Sequence, residues 1–278
     1  MTKRKRRLLI GEIVAVIFTI IIFIIPFYFM FVQSIKTKEE ANLLTINWPT
    51  QGIHLIENYS KVFTNANYQL VTAFKNSLLL TLFTVIGLII TGSMAGYVIQ
   101  RRRDRVMKTV QWVIMLGLMI PAAILPTISL LQKLHIYKTM FGMVMIEIAL
   151  QTPFTVMLFR GYMASIPTEL EESARIDGCS SLQIFTRIIS PLLKPIRATV
   201  IILTAVTTFN DFTNPLYFLP GAGNTTVQLT LYNYKGQFSS SYNLLFADII
   251  IITVPMLILF LLFNKKIVAG MVAGSVKG

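Results

Sequence analysis

Residues 8–32 read LLIGEIVAVIFTIIIFIIPFYFMFV and carry one charged side chain, Glu12. A run this long and this apolar leaves the chain few choices. As a helix it rises about 1.5 Å per residue, enough to cross the ~30 Å of a bilayer's hydrocarbon. In lipid, backbone amides have no water to bond, so each must be satisfied inside the helix. The basic cluster KRKRR at 3–7 precedes the run. A cleaved signal peptide would have a shorter apolar stretch and a small-residue cleavage site, so an uncleaved helix is expected.

Composition extends this to the whole chain. Of 278 residues, 54% are hydrophobic and 13% charged, where a soluble domain carries about a quarter charged. An integral membrane protein is expected, as one transmembrane domain over 1–278. Six spans are expected, at about 8–32, 76–99, 109–130, 139–159, 197–217 and 243–263, in an all-α polytopic fold. Pro121 and Pro126 should kink or interrupt the third. The net charge of +13 does not argue for nucleic acid, because the basic residues flank apolar spans and orient them. With the N-terminus inside, the inner segments hold 18 of the 25 Lys and Arg and the outer side 7. Both termini, the segment 166–196 and a tail at 264–278 then face the cytoplasm. The longest loop, 33–75, lies outside, with a short amphipathic helix expected around IENYSKVF. The sequons at Asn58 and Asn224 are read as chance.

Several chemistries are disfavoured. One cysteine, Cys179, allows neither an intrachain disulfide nor a cysteine-based metal site. His54 and His135 lack ligand spacing, and there is no GxxxxGK[ST] or HExxH. A membrane enzyme would need a nucleophile–base or metal constellation, and none is visible. No catalysis and no cofactor on this chain are expected.

The most informative polar segment is 166–196, IPTELEESARIDGCSSLQIFTRIISPLLKPI. Thr168 with Glu171, and Ser180 with Gln183, have capping-box spacing. Glu169, Glu171 and Glu172 sit in a first helical turn, where the macrodipole favours acids. Gly178 is placed to take a left-handed conformation that ends the helix. Two short helices hinged at Gly178 are expected, a compact knob suited to a partner's groove.

Glu172-Ser173-Ala174, Asp177-Gly178 and Pro191 resemble the "EAA" loop of bacterial ABC-importer permeases. PTELEESARIDG…IFTRIISPLLKP is similar to the carbohydrate branch. Asn76-Ser77, Arg101, MIPAAILP, FNDF at 209–212 and the tail GMVAGSVKG agree across nearly the whole chain with the inner permease of maltose-type importers. Ser173, Cys179, Ser190 and Phe209 depart from residues usual there (Ala, a small residue, Leu and Trp). The resemblance implies a type I importer fold and a subunit without catalysis. It also implies a homologous second permease, two ATPase subunits that bind ATP and Mg, an extracytoplasmic solute-binding protein, and a place among the lipids of a bacterial cytoplasmic membrane. Glu169, Glu171, Glu172, Ser173, Ala174, Asp177, Gly178, Phe185 and Pro191 would then couple to an ATPase, and the tail would reach it.

Polar residues within spans are functional candidates by default. Phe209, Asn210, Asp211 and Asn214 offer an aromatic face, amides and a carboxylate, which suit a sugar ring, and Asn76 heads the second span. Glu147 and Asp248 lie nearer outer ends and are read as interhelical bonds. An oligosaccharide is the expected solute. A monosaccharide or a glycerol-phosphate-type solute are the alternatives, the latter disfavoured by the lack of mid-span Lys or Arg. A stand-alone ion-coupled carrier using Asp211, Asp248 and Glu147 is the competing class, against which stands the lack of inverted-repeat symmetry.

Overall fold

A computed structural model describes residues 3–102, 104–236 and 240–275, with side chains among them from residue 11 to residue 262. The described residues are helical apart from turns and one isolated antiparallel bridge, Lys235 to Ser240. In chain order the helices are α1 (Lys3–Ser34), α2 (Lys38–Asn42), α3 (Leu55–Arg101), α4 (Arg105–Leu116), α5 (Ile124–Lys133) and α6 (Met140–Met163). Then come α7 (Glu169–Ile176), α8 (Ser181–Leu192), α9 (Lys194–Phe209), α10 (Thr213–Phe218), α11 (Val227–Thr230) and α12 (Tyr242–Ser275). They fall into two compact units. One comprises residues up to Leu70 with Thr230–Val254, the other Val71–Leu229 with the chain from Pro255.

Among the described residues, four stretches are long and apolar enough to cross a bilayer: Gly11–Ser34, α3, α6 and Tyr242–Leu262; the pair α8–α9, bent by 76°, makes at most a fifth. The expected third span, 109–130, is not one helix. α4 stops at Leu116, α5 starts at Ile124, and Pro121 lies in the break. Twelve residues of α4 rise only about 18 Å. Pro126 sits in the first turn of α5, where its missing N–H would be unpaired in any case. The expected fifth span is also divided, between α9 and α10, at Asn210-Asp211-Phe212. Where the sequence suggested a tail at 264–278, α12 continues to Ser275; residues 276–278 lie outside the described residues.

In the first unit the loop after α1 is tied down by buried polar groups. Asn58 donates to the carbonyls of Ser34 and Lys36, both at 2.9 Å, and accepts from Asn243 at 2.9 Å. That sequon asparagine is thus a packing residue. Lys36, fully buried, donates to the Thr45 carbonyl at 2.7 Å. The expected amphipathic helix is the first part of α3. Asn65 leaves helical geometry, and Ala66, Asn67 and Tyr68 take positive φ before the long span resumes. Buried Asp248 accepts from Thr230 at 2.7 Å.

In the second unit α3 lies close along α6. A Cβ at Gly92 would come 2.5 Å from Thr155, and one at Gly96 would come 2.9 Å from Phe159 and 3.0 Å from the Arg160 backbone nitrogen. Small residues let two helices in lipid approach to backbone contact, where dispersion replaces the missing hydrophobic drive. Below this contact a core of Phe159, Met163, Ile166, Ala174, Ile184, Ile189, Leu193 and Ile196 joins the ends of α6 and α9 to α7 and α8.

Gly96→Ala should therefore destabilise the fold by about 1–3 kcal/mol, the usual cost of overpacking. Gly161→Ala, with nothing within 4 Å of its added methyl, should be neutral or stabilising. Thermal unfolding of both variants in detergent checks this; equal shifts would refute the close-packing account.

Candidate functional site

The segment 166–196 is a hairpin of α7 and α8. Its hinge is a complete C-cap: Gly178 has φ +83°, its amide donates to Arg175 at 3.0 Å, and the Cys179 amide donates to Ala174 at 2.9 Å. These are the two bonds of the Schellman motif, and Gly178 supplies its left-handed residue. Ser180 and Gln183 form the expected capping box. Residues 184–189 of α8 are wound as a π-helix.

The first capping box does not form. Thr168 is itself helical and its side chain caps nothing. Glu171 has a stronger partner. Its Oε1 accepts from Arg101 Nε at 2.6 Å and its Oε2 accepts from the Tyr97 hydroxyl at 2.8 Å. Arg101 Nη2 also donates to the Ile166 carbonyl at 2.9 Å. The pair is shielded, with side chains 15% and 5% exposed. Removing one partner of such a pair costs about 3–5 kcal/mol, because the other charge is left unpaired.

This fixes which side of α7 faces out. Glu171 and Ala174 are buried; Glu169, Glu172, Ser173 and Ile176, spaced i, i+3, i+4, i+7, are exposed on the other face. Asp177, Gly178 and Pro191 are exposed as well, and Ile176 is 87% exposed. Phe185 is partly buried, its ring 5.4 Å from that of Tyr97. Of the nine residues expected to couple, Glu171, Ala174 and Phe185 hold the hairpin to the body. Ser190 has a local use: Arg197 donates to its carbonyl and hydroxyl.

The polar candidates of the spans form a second group. Asp211 lies in the break between α9 and α10. Its Oδ1 accepts from the Thr213 amide at 2.9 Å and the Asn214 amide at 3.2 Å. Asn214 donates to Asp211 at 2.6 Å and to Glu147 at 3.4 Å. Gln151 donates to Glu147 at 2.7 Å and to Thr208 at 2.9 Å. Asn210, exposed, donates to the Val206 carbonyl and accepts from Gln228 at 3.0 Å. Beside Gln151, α6 and α9 flank a groove of about 220 Å³ that also contains Phe154, Thr155, Thr204 and Thr207.

Two candidates stand apart from this open face. Phe209 is buried, its ring 6.3 Å from Phe74. Asn76 donates to the carbonyls of Gly223 and Thr225, at 2.9 and 3.0 Å. Tyr97, Gln151 and Thr208 were not singled out by sequence. Spacing held a signal for two of them: Tyr97 is four residues before Arg101, and Gln151 four after Glu147.

Residues 87–272 match the family model described as binding-protein-dependent transport system inner membrane component. The chain is 31% identical to the probable starch degradation products transport system permease protein AmyC of Thermoanaerobacterium thermosulfurigenes, over 92% of this chain and 93% of that one. It is 33% identical to the melibiose/raffinose/stachyose import permease protein MelC of Bacillus subtilis (strain 168), over 91% of each. In fold it resembles a chain of a bacterial ABC transporter involved in the import of the acidic polysaccharide alginate, with TM-score 0.79, 21% identity and 95% and 98% of the two chains covered. A chain of a bacterial alginate ABC transporter in complex with alginate pentasaccharide-bound periplasmic protein is similar, with TM-score 0.70, 17% identity and 94% of each covered. The chain is a membrane protein that belongs to the binding-protein-dependent transport system inner membrane components, the permease family of ABC transporters.

Proposed function

We propose that this chain is one of two permease subunits of an ATP-driven, binding-protein-dependent importer of oligosaccharides in a bacterial cytoplasmic membrane. It has no catalysis of its own and binds no cofactor; ATP and Mg belong to two ATPase subunits. It crosses the membrane six times with both termini in the cytoplasm. α4 and α5 together make the third crossing, and α9 with α10 the fifth.

The observation that carries the reading is the outward face of α7. A helix end closed by a full C-cap and rooted in a buried core is rigid, yet it leaves Ile176 almost bare between Glu169, Glu172, Ser173 and Asp177. An apolar tip with Glu169, Glu172 and Asp177 exposed around it and Arg175 beside it is a docking element for a groove with a polar, charged rim. The ATPase is its occupant, and closure of the ATPase pair moves the hairpin and α9 by rigid-body motion. The solute class is supported by relatives named for starch products and for melibiose, raffinose and stachyose. It is also supported by the neutral polar side chains of Gln151, Thr204 and Thr207 in the α6–α9 groove. Asn214 and Asp211 shape that face, with Phe209 behind them. The alginate importer with its periplasmic protein supports an extracytoplasmic binding protein as partner.

Ile176→Asp should cut recovery of the ATPase with the tagged chain by about tenfold, a typical hot-spot loss. The chain's own thermal midpoint should stay unchanged. Undiminished recovery would remove the docking role of α7. Gly178→Pro, or Glu172→Lys with Asp177→Lys, should lower solute uptake by about tenfold or more while the permease stays in the membrane; normal uptake in vesicles would contradict the coupling role. Asn210→Ala should change raffinose or maltotriose uptake severalfold, by about 1 kcal/mol for one hydrogen bond, without weakening ATPase association. Wild-type kinetics would take Asn210 out of the path.

A further inference from the structure

We propose that the Arg101–Glu171 ion pair is the joint by which the hairpin drives α3, so that a push on the hairpin turns α3 together with α9. This rests on the coupling role proposed above and adds a second route out of the hairpin.

The first route is the chain itself. α8 passes into α9 through a 76° bend at Leu193. No such continuity links the hairpin to α3, which ends at Arg101. The link is made by one turn of side chains. Arg101 bonds Glu171 of α7 and, through its other arm, the Ile166 carbonyl just beyond α6. Tyr97, one turn up the same face, takes the second Glu171 oxygen and sets its ring against Phe185 of α8. α3 therefore grips both helices of the hairpin.

The chemistry of the grip suits a load. A guanidinium fork fixes direction as well as distance, which a single ammonium does not. Both carboxylate oxygens are used, and the pair is shielded, so water cannot readily replace a partner as the joint is pulled. The grip also lies on the face of α7 opposite Ile176. Arg101 and Glu171 are thus positioning residues: their loss leaves the docking face in place on its buried core and loosens the foot of α3 from it.

The test uses the assembled importer, with Gln100→Cys and Thr168→Cys, which line one cleft beside the pair and take no part in it, in a Cys179→Ser background. The rate of bridging by a short cleavable bis-thiol reagent is measured without nucleotide and after trapping with ATP, Mg and vanadate. The expected result is one rate, within about twofold, in both states. With Glu171→Gln or Arg101→Gln added, the rate should differ between states by about tenfold, as expected when a coupling element is lost. If Glu171→Gln does not assemble, Arg101→Lys, which keeps the charge but not the fork, serves as the milder break.

A state-dependent rate with the ion pair intact would mean that hairpin and α3 slip past one another, and would overturn the joint. A rate that stays the same in both states after the pair is broken would show that the pair carries no load, and would overturn it equally. Failure of the ATPase to co-purify with the intact-pair chain would instead overturn the coupling role itself.

Discussion

The backbone approach of α3 to α6 at Gly92 and Gly96 sets the position of much that lies below it. A helix pair in lipid gains nothing from hiding apolar surface, since lipid is equally apolar, so its stability comes from contact. Side chains larger than hydrogen at these positions would hold the helices apart. Because they touch, the foot of α3 and the end of α6 arrive side by side, and Arg101 can reach Ile166 and Glu171 together. The hairpin is thus placed by a contact made within the spans, about one and a half and two and a half turns above Arg101.

The two breaks that divide the expected third and fifth spans follow a different rule. Backbone that leaves helical geometry at membrane depth must find other partners. At 210–212 the partner is Asp211, which takes two amides of the next helix and braces Asn214. At 117–123 short turn bonds close the end of α4, such as the Gly117 amide to the Ile114 carbonyl at 3.1 Å. Both breaks lie in stretches rich in residues that do not continue a helix, Pro121 in one and Asn210 with Asp211 in the other.

The hinge at Gly178, the second capping box and the helical short arms were legible because each depends on residues a few positions apart. Thr168 was misread for the opposite reason. Its spacing to Glu171 is right for a cap, but Arg101, 70 residues away, outbids the local amide, and a charge-assisted buried pair is the stronger bond. Phe209 shows the same limit: an aromatic in a polar motif looks available until Phe74, distant in sequence, covers it. Asn210 and Asp211 looked like polar side chains within a continuous span. The cue to a break was the following Thr213-Asn214-Pro215, an Asp-led helix start with Pro in the first turn.

The bare isoleucine at the tip of α7 has one more consequence, for the cell's accounting of subunits. An apolar side chain left in water adds nothing to the fold that carries it; the roughly 1.5–3 kcal/mol from its burial is released only when something covers it. On the proposed reading, a permease synthesised in excess of its motor keeps Ile176 open to the cytoplasm. Such a patch is what chaperones and proteases that survey the membrane surface can grip. The same residue then reports whether the complex is complete, and surplus copies are marked without any dedicated signal.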